Sequence, residues 1–209
     1  LVLSYLNKQE FEKAVAAAQA LQQRMLESPI PYNLIGLAYL SQRKLDLARE
    51  QFDLALEKDP EFLVARMNLA RLAVVERQLG EAAAAYEAVL RQDPKHLQAM
   101  MGLAALANAQ NDSAGAERWL LRANQTNPKA LQPILVLAET YLRQNEGLKA
   151  NNLFTGLDPQ QAEQPAVLRL KGMAQLQNGD FRNATYTLNK LTELQPAAME
   201  GWSQLARAK

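Results

Sequence analysis

A single period constrains this chain more than any other feature: shifted by 34 residues, the sequence matches itself from one end to the other. The most complete copy runs from Pro29 to Phe62, PIPYNLIGLAYLSQRKLDLAREQFDLALEKDPEF. With Pro29 as position 1, position 20 is alanine in every copy: Ala14, Ala48, Ala82, Ala116, Ala150 and Ala184. Position 8 is Gly36, Ala70, Ala104, Ala138, Gly172 and Ala206, and position 32 is Pro60, Pro94, Pro128 and Pro196. Each copy holds two amphipathic helical patterns of about a dozen residues, too short to bury an apolar face alone, so neighbouring copies must stack. Small residues at positions 8 and 20 let paired helices approach closely, and larger residues fill the seam beside them: Tyr39, Tyr141, Phe52, Tyr86 and Phe154. Proline at position 32 ends the second helix, because it pushes the residue before it away from helical angles. Asp59 and Asp93 precede it as turn residues.

This pattern resembles the tetratricopeptide repeat (TPR), in which a large residue stands at position 4, Gly or Ala at 8, Tyr at 11, Ala at 20, an aromatic at 24, Ala at 27 and Pro at 32. Tyr32, Gly36, Tyr39, Ala48, Phe52, Ala55 and Pro60 supply the motif in the best copy. The resemblance implies an all-α, right-handed α-solenoid of about six helix-turn-helix repeats. The copies are 1–28 (partial), 29–62, 63–96, 97–130, 131–164, 165–198 and 199–209 (partial), forming one solenoid segment. Both ends cut through repeats, so the sequence reads either as a piece of a longer array or as one whose final helix is a solubilising cap. Trp202, Leu205 and Ala206 are expected to pack on repeat six. Repeat five is irregular: Gly156 and Asp158-Pro159 predict that its second helix stops early, with Pro159–Gln164 as a longer loop and Gly156 to Gln164 as the most mobile internal segment. Repeat six departs at position 7, where Lys171 replaces the usual Leu.

Chemistry is sparse. Among 209 residues there is no cysteine, which excludes disulfides, thiolate catalysis and cysteine zinc sites. His96, the one histidine, falls in an inter-repeat turn and has no partners suggesting a triad or a metal site. No phosphate-binding glycine loop is present. These residues predict a non-catalytic protein without cofactor or metal. A formal net charge of +1 argues against a nucleic-acid binder, and no apolar run approaches the ~20 residues of a membrane span.

By the resemblance, positions 2, 5, 9, 12 and 13 of the first helices line a concave groove for a protein or peptide partner. The candidate groove residues are Asn33, Leu37, Leu40, Met67, Arg71, Val74, Met101, Asn108, Leu135 and Glu139. Several are apolar where a solvated face would be polar. They either pack against the neighbouring repeat or form a groove for an apolar or amphipathic peptide. Of the family's clamp for acidic C-terminal tails only Asn68 is matched, against Asn33, Leu37, Gln98 and Gly102 elsewhere, so that mode is not expected. Arg71, Arg143, Arg169 and Arg207 offer a different reading, a sparse basic ladder for an anionic polysaccharide or other polyanion. The segments YNLIGLAYLSQRKLDLAREQF, RMNLARL, AMMGLAALA and AERWLLRANQTNP resemble bacterial TPR lipoproteins of exopolysaccharide export and the PEP-CTERM/exosortase system. That resemblance implies a scaffold in the bacterial periplasm or envelope, working with polysaccharide-export machinery.

Overall fold

The structure, a computed structural model, describes residues 1–196 together with Gly201, Ser203, Ala206 and Arg207. The described residues form helices and turns, with no strand. The period is written directly into the helix starts. First helices are α3 (Pro29–Ser41), α5 (Leu63–Val75), α7 (Leu97–Ala109), α9 (Leu131–Arg143) and α12 (Pro165–Gln177), each of 13 residues. Second helices are α2 (Phe11–Gln22), α4 (Leu45–Lys58), α6 (Leu79–Gln92), α8 (Ser113–Thr126), α10 (Gly147–Asn152) and α13 (Phe181–Leu194). α1 (Val2–Asn7) is the tail of a first helix, and α11 (Pro159–Ala162) is a short extra turn.

Local chemistry explains these boundaries. Ser28 caps α3 by accepting from the Ile30 amide at 3.3 Å, with proline in the first turn. Asp112 and Asp180 cap α8 and α13 in the same manner. α4, α6, α8 and α13 all end two residues before the prolines at position 32. The Asp59 and Asp93 side chains accept from the amides two residues on, at 2.9 and 3.0 Å, which are the expected turns. The turn within each repeat is equally regular. Gln9, Arg43, Arg77, Asn111, Asn145 and Gly179, all at position 15, have φ between 57° and 72°. Only glycine adopts that left-handed geometry without steric cost.

Two compact units, Leu1–Asn111 and Asp112–Lys209, divide the chain. In the first, Ala14, Ala48 and Ala82 are wholly buried. Ala48 and Phe52 of one repeat form a single cluster with Leu72 of the next, so each helix pair completes its neighbour's core. The Phe52 ring lies over Gly36 so closely that an added Cβ would meet it at 2.5 Å, which explains glycine at that position 8. In the second unit Ala116, Ala150 and Ala184 play the same part. Gly172 there accommodates Leu188 in place of an aromatic ring.

Repeat five departs further from the pattern than Gly156 and Pro159 predict. α10 has 6 residues where α4 has 14. The chain tightens into i→i+3 bonds, with the amides of Leu153, Phe154 and Thr155 bonding to Ala150, Asn151 and Asn152. Phe154 is buried nonetheless. The expected loop at Pro159–Gln164 is not wholly a loop. Pro159–Ala162 forms α11, because Asp158 and Gln161 make a reciprocal capping box and Pro159 occupies the first turn. At the C-terminal end Ala206 is exposed rather than packed, whereas Gly201 is buried beside Leu191 and Thr192. Trp202 and Leu205 lie outside the described residues.

Candidate functional site

The first-helix face of unit 1 separates the candidate groove residues into two sets. Asn33 and Met67 are buried, 5% and 6% exposed, so they are not the surface groups their positions predict. Asn68 Nδ2 donates to Asn33 Oδ1 at 2.8 Å, tying α5 to α3, and Arg71 Nη1 donates to Asn68 Oδ1 at 3.4 Å. Leu37 and Leu40 are half-buried against the Ala48–Phe52–Leu72 cluster. Packing therefore accounts for Leu37, Leu40 and Met67. Arg71, Val74 and Asn108 remain exposed, Met101 is half-buried, and Ile30, Val64 and Val75 add apolar surface to this unit.

In unit 2 the same face forms a cavity of about 500 Å³ between α9 and α12. Leu142, Leu170 and Met173 supply its apolar wall, and Arg143, Glu139 and Arg169 supply charge. Arg169 Nη2 donates to Glu139 Oε1 at 3.2 Å, bridging the two helices, and Gln177 Nε2 donates to the Leu142 carbonyl at 2.9 Å. Leu135 is half-buried and does not line this cavity. A smaller cavity of about 200 Å³, lined by Met173, Leu176, Gln177, Phe181 and Arg207, shares two residues with it. Arg143, Arg169 and Arg207 thus border adjoining hollows, whereas Arg71 belongs to unit 1.

The chemistry elsewhere is structural. His96 caps α7, its Nδ1 accepting from the Ala99 amide at 3.2 Å. Among the described residues no group of three or more His, Cys, Asp or Glu is placed to hold a metal. No described helix is long and apolar enough to cross a membrane. Tyr141, at position 11, donates to Glu117 Oε1 at 2.5 Å, and Lys149 lies 5.4 Å from its ring centroid. Burial, the bond to Glu117 and the charges of Glu117 and Glu146 hold its phenol well above the usual 10.0. Because the unfolded phenol ionises first, this stabilisation is complete below about pH 10 and is lost as pH rises further. Thermal melts at increasing alkaline pH should show a falling melting temperature whose slope is reduced in Tyr141→Phe. An equal slope in both proteins would contradict this assignment.

The family model for the tetratricopeptide repeat matches residues 1–61 and 67–130, more than half the chain. The chain belongs to the tetratricopeptide repeat family. Its fold is an all-α solenoid of TPR helix pairs. Similar solved structures include PilW, a type IV pilus biogenesis factor, at 20% identity and TM-score 0.70, covering 98% of this chain and 95% of that one. PilF of Pseudomonas aeruginosa is 17% identical with TM-score 0.69, covering 99% and 94%. YrrB, a TPR protein with an unusual peptide-binding site, is 20% identical with TM-score 0.62, covering 90% and 96%. No curated protein matches the sequence. TPR proteins generally serve as protein-interaction scaffolds, and protein or peptide partners are what this fold supports.

Proposed function

We propose that this TPR protein is a non-catalytic scaffold that holds an extended peptide, apolar with acidic side chains, along its first-helix face. The cavity between α9 and α12 carries this reading. Its wall of Leu142, Leu170 and Met173 takes apolar side chains, and Met173 adapts to their shape. Arg143 at its border selects carboxylates through charge-assisted hydrogen bonds, and Arg169, paired with Glu139, adds positive charge beside it. On its own first-helix face unit 1 presents the exposed residues Val74, Arg71 and Asn108, with Asn33 and Met67 buried beneath them. The process we assign is bacterial envelope or exopolysaccharide assembly, supported by the resemblance of YNLIGLAYLSQRKLDLAREQF and the segments after it.

Fluorescence polarisation with a labelled peptide alternating Leu or Phe with Glu tests the reading. Arg169→Glu should weaken binding at least about tenfold by reversing a charge at the border. Unchanged affinity would refute the site. The second reading, a polyanion held by Arg143, Arg169 and Arg207, is favoured by the shared hollows those arginines border. It predicts binding to an anionic polysaccharide that collapses as salt rises, because screening removes the attraction. The peptide should lose much less, since part of its affinity is apolar burial.

A further inference from the structure

Unit 1 carries on its own first-helix face a row of polar groups that packing does not require. Position 9 is Leu37 in repeat two and Ala105 in repeat four, but Arg71 in repeat three. Position 6 is Leu34 and Gly102 in those neighbours, but Asn68 between them. Val64, Asn68, Arg71 and Val75 follow the i, i+4, i+7, i+11 spacing of one stripe on α5, with Val64 and Val75 exposed at its ends. Asn68 is only 3% exposed and meets the buried Asn33 of α3.

The charged end of this row sets the direction of its hydrogen bonds. A guanidinium has donors and no acceptor. Asn68 therefore turns Oδ1 toward Arg71 Nη1, at 3.4 Å, and its Nδ2 donates to Asn33 Oδ1 at 2.8 Å. Both amide oxygens are then used, and Asn33 Nδ2 is left over. It has no partner, yet it is not sealed off from solvent. Donors in series polarise one another, so this last N–H is stronger than that of an isolated amide.

Two groups stand open at the other end. Arg71 is exposed and makes no ion pair among the described residues. Its neighbour Tyr86 is 6% exposed, and the phenol hydroxyl makes no hydrogen bond. Burial pushes that phenol up from its usual pKa, and the charge of Arg71 opposes the rise. Position 6 of repeat four makes room for it: the hydroxyl-bearing Cζ is the first atom that a side chain at Gly102 would meet.

We infer that this row holds an acidic residue of an extended peptide. The side-chain carboxylate takes Arg71 and the Tyr86 hydroxyl, and a main-chain carbonyl accepts from Asn33 Nδ2. Apolar neighbours in the peptide cover Val64 and Val75. Arg71 touches the carboxylate and, through Asn68, is also the positioning residue for Asn33. A free anion would serve Arg71 and leave the Asn33 N–H and the valines unserved. The inference rests on the reading that a peptide occupies the first-helix face, and it adds an anchor in unit 1 separate from the α9–α12 cavity.

The test follows asparagine side-chain amides by nitrogen-15 NMR in the full chain. In the parent protein the Asn68 amide protons should exchange slowly with water and those of Asn33 quickly. Arg71→Glu places an acceptor where a donor stood, so both amides should turn over. Asn68 then donates to the new carboxylate, Asn33 donates to Asn68, and the Asn33 protons become slow. Amides that merely fill space would show no such reversal. The labelled peptide alternating Leu or Phe with Glu should shift and slow the Asn33 amide in the parent, whereas acetate should not. Arg71→Leu, which puts at position 9 the residue that repeat two already has there, should weaken that peptide at least about tenfold. Unreversed exchange in Arg71→Glu, an equal response to acetate, or unchanged affinity in Arg71→Leu would overturn the inference. A peptide weakened by Arg169→Glu but not by Arg71→Leu overturns this anchor and leaves the α9–α12 groove standing. A peptide that does not bind the parent removes both.

Discussion

Phe52→Ala is expected to lower the stability of unit 1 by about 3–5 kcal/mol, the usual loss for an aromatic ring removed from a packed interior. The ring is wholly buried, and it belongs to a cluster that joins two successive repeats through Ala48 and Leu72. Its removal empties the seam within one helix pair and the contact with the next. Domains of ordinary stability have only about 5–15 kcal/mol in total, so the loss should be plain in a denaturant titration as a lower midpoint. A second substitution sharpens the test. In the parent protein Gly36→Ala should destabilise, because its Cβ would lie 2.5 Å from the Phe52 ring. In Phe52→Ala the same change should stabilise, since alanine is the better helix former by about 1 kcal/mol and the obstructing ring is gone. If Gly36→Ala has the same sign in both backgrounds, the ring is not what excludes a side chain at position 36.

The second large effect belongs to unit 2. Gly172→Leu should cost about 1–3 kcal/mol or somewhat more, because inserting atoms into a packed seam forces strained rotamers or backbone shifts. Even the first added carbon would lie 2.5 Å from Leu188 Cδ2 and 2.7 Å from Cγ. Leu188 is itself wholly buried in the cluster with Leu168, Ala184 and Leu191 and has little space to retreat into. Leu188→Ala alone should also destabilise, by about 2–5 kcal/mol, through the cavity it leaves. Combined, the two changes exchange a large and a small partner across one contact. The double mutant should therefore be more stable than the sum of the single losses predicts, with a coupling of about 0.5–3 kcal/mol. Strict additivity would mean that residues 172 and 188 do not share the contact.

Much of this architecture was legible because a helical repeat places the same physical demand at the same position each time. Alanine at position 20, small residues at position 8 and proline at position 32 each answer one demand, and helix starts follow from them. The groove was harder to read. Positions on the first-helix face serve both the surface and the packing of one first helix on the next. Periodicity cannot separate Met67, which is buried, from Val74, which is exposed. Asn33 and Asn68 were visible as polar residues, but their hydrogen bond depends on the depth at which α3 and α5 meet. In repeat five the stop signals Gly156 and Pro159 were evident. The earlier break after Asn152 carries no proline or glycine of its own and arises from the tightened turn around Phe154. Lys171 could be recognised as out of pattern from sequence. Its place on a cavity shared with Pro159 and Ala162 of α11 could not, since that depends on where the broken helix sends the chain.

The break in α10 leaves the spacing around it untouched. α9 begins at Leu131 and α12 at Pro165, the same interval that separates α3 from α5, and α13 follows α10 at that interval too. Repeat five reaches this end with a helix less than half the usual length, a tightened turn and a single extra coil. What the array holds invariant is therefore phase rather than helix length. Like a screw thread that stays in pitch across a nick, it tolerates a local change of conformation as long as the chain returns on the beat. Variation in such a protein can thus be confined to the interior of one period, where it creates a new surface without disturbing the stacking on either side.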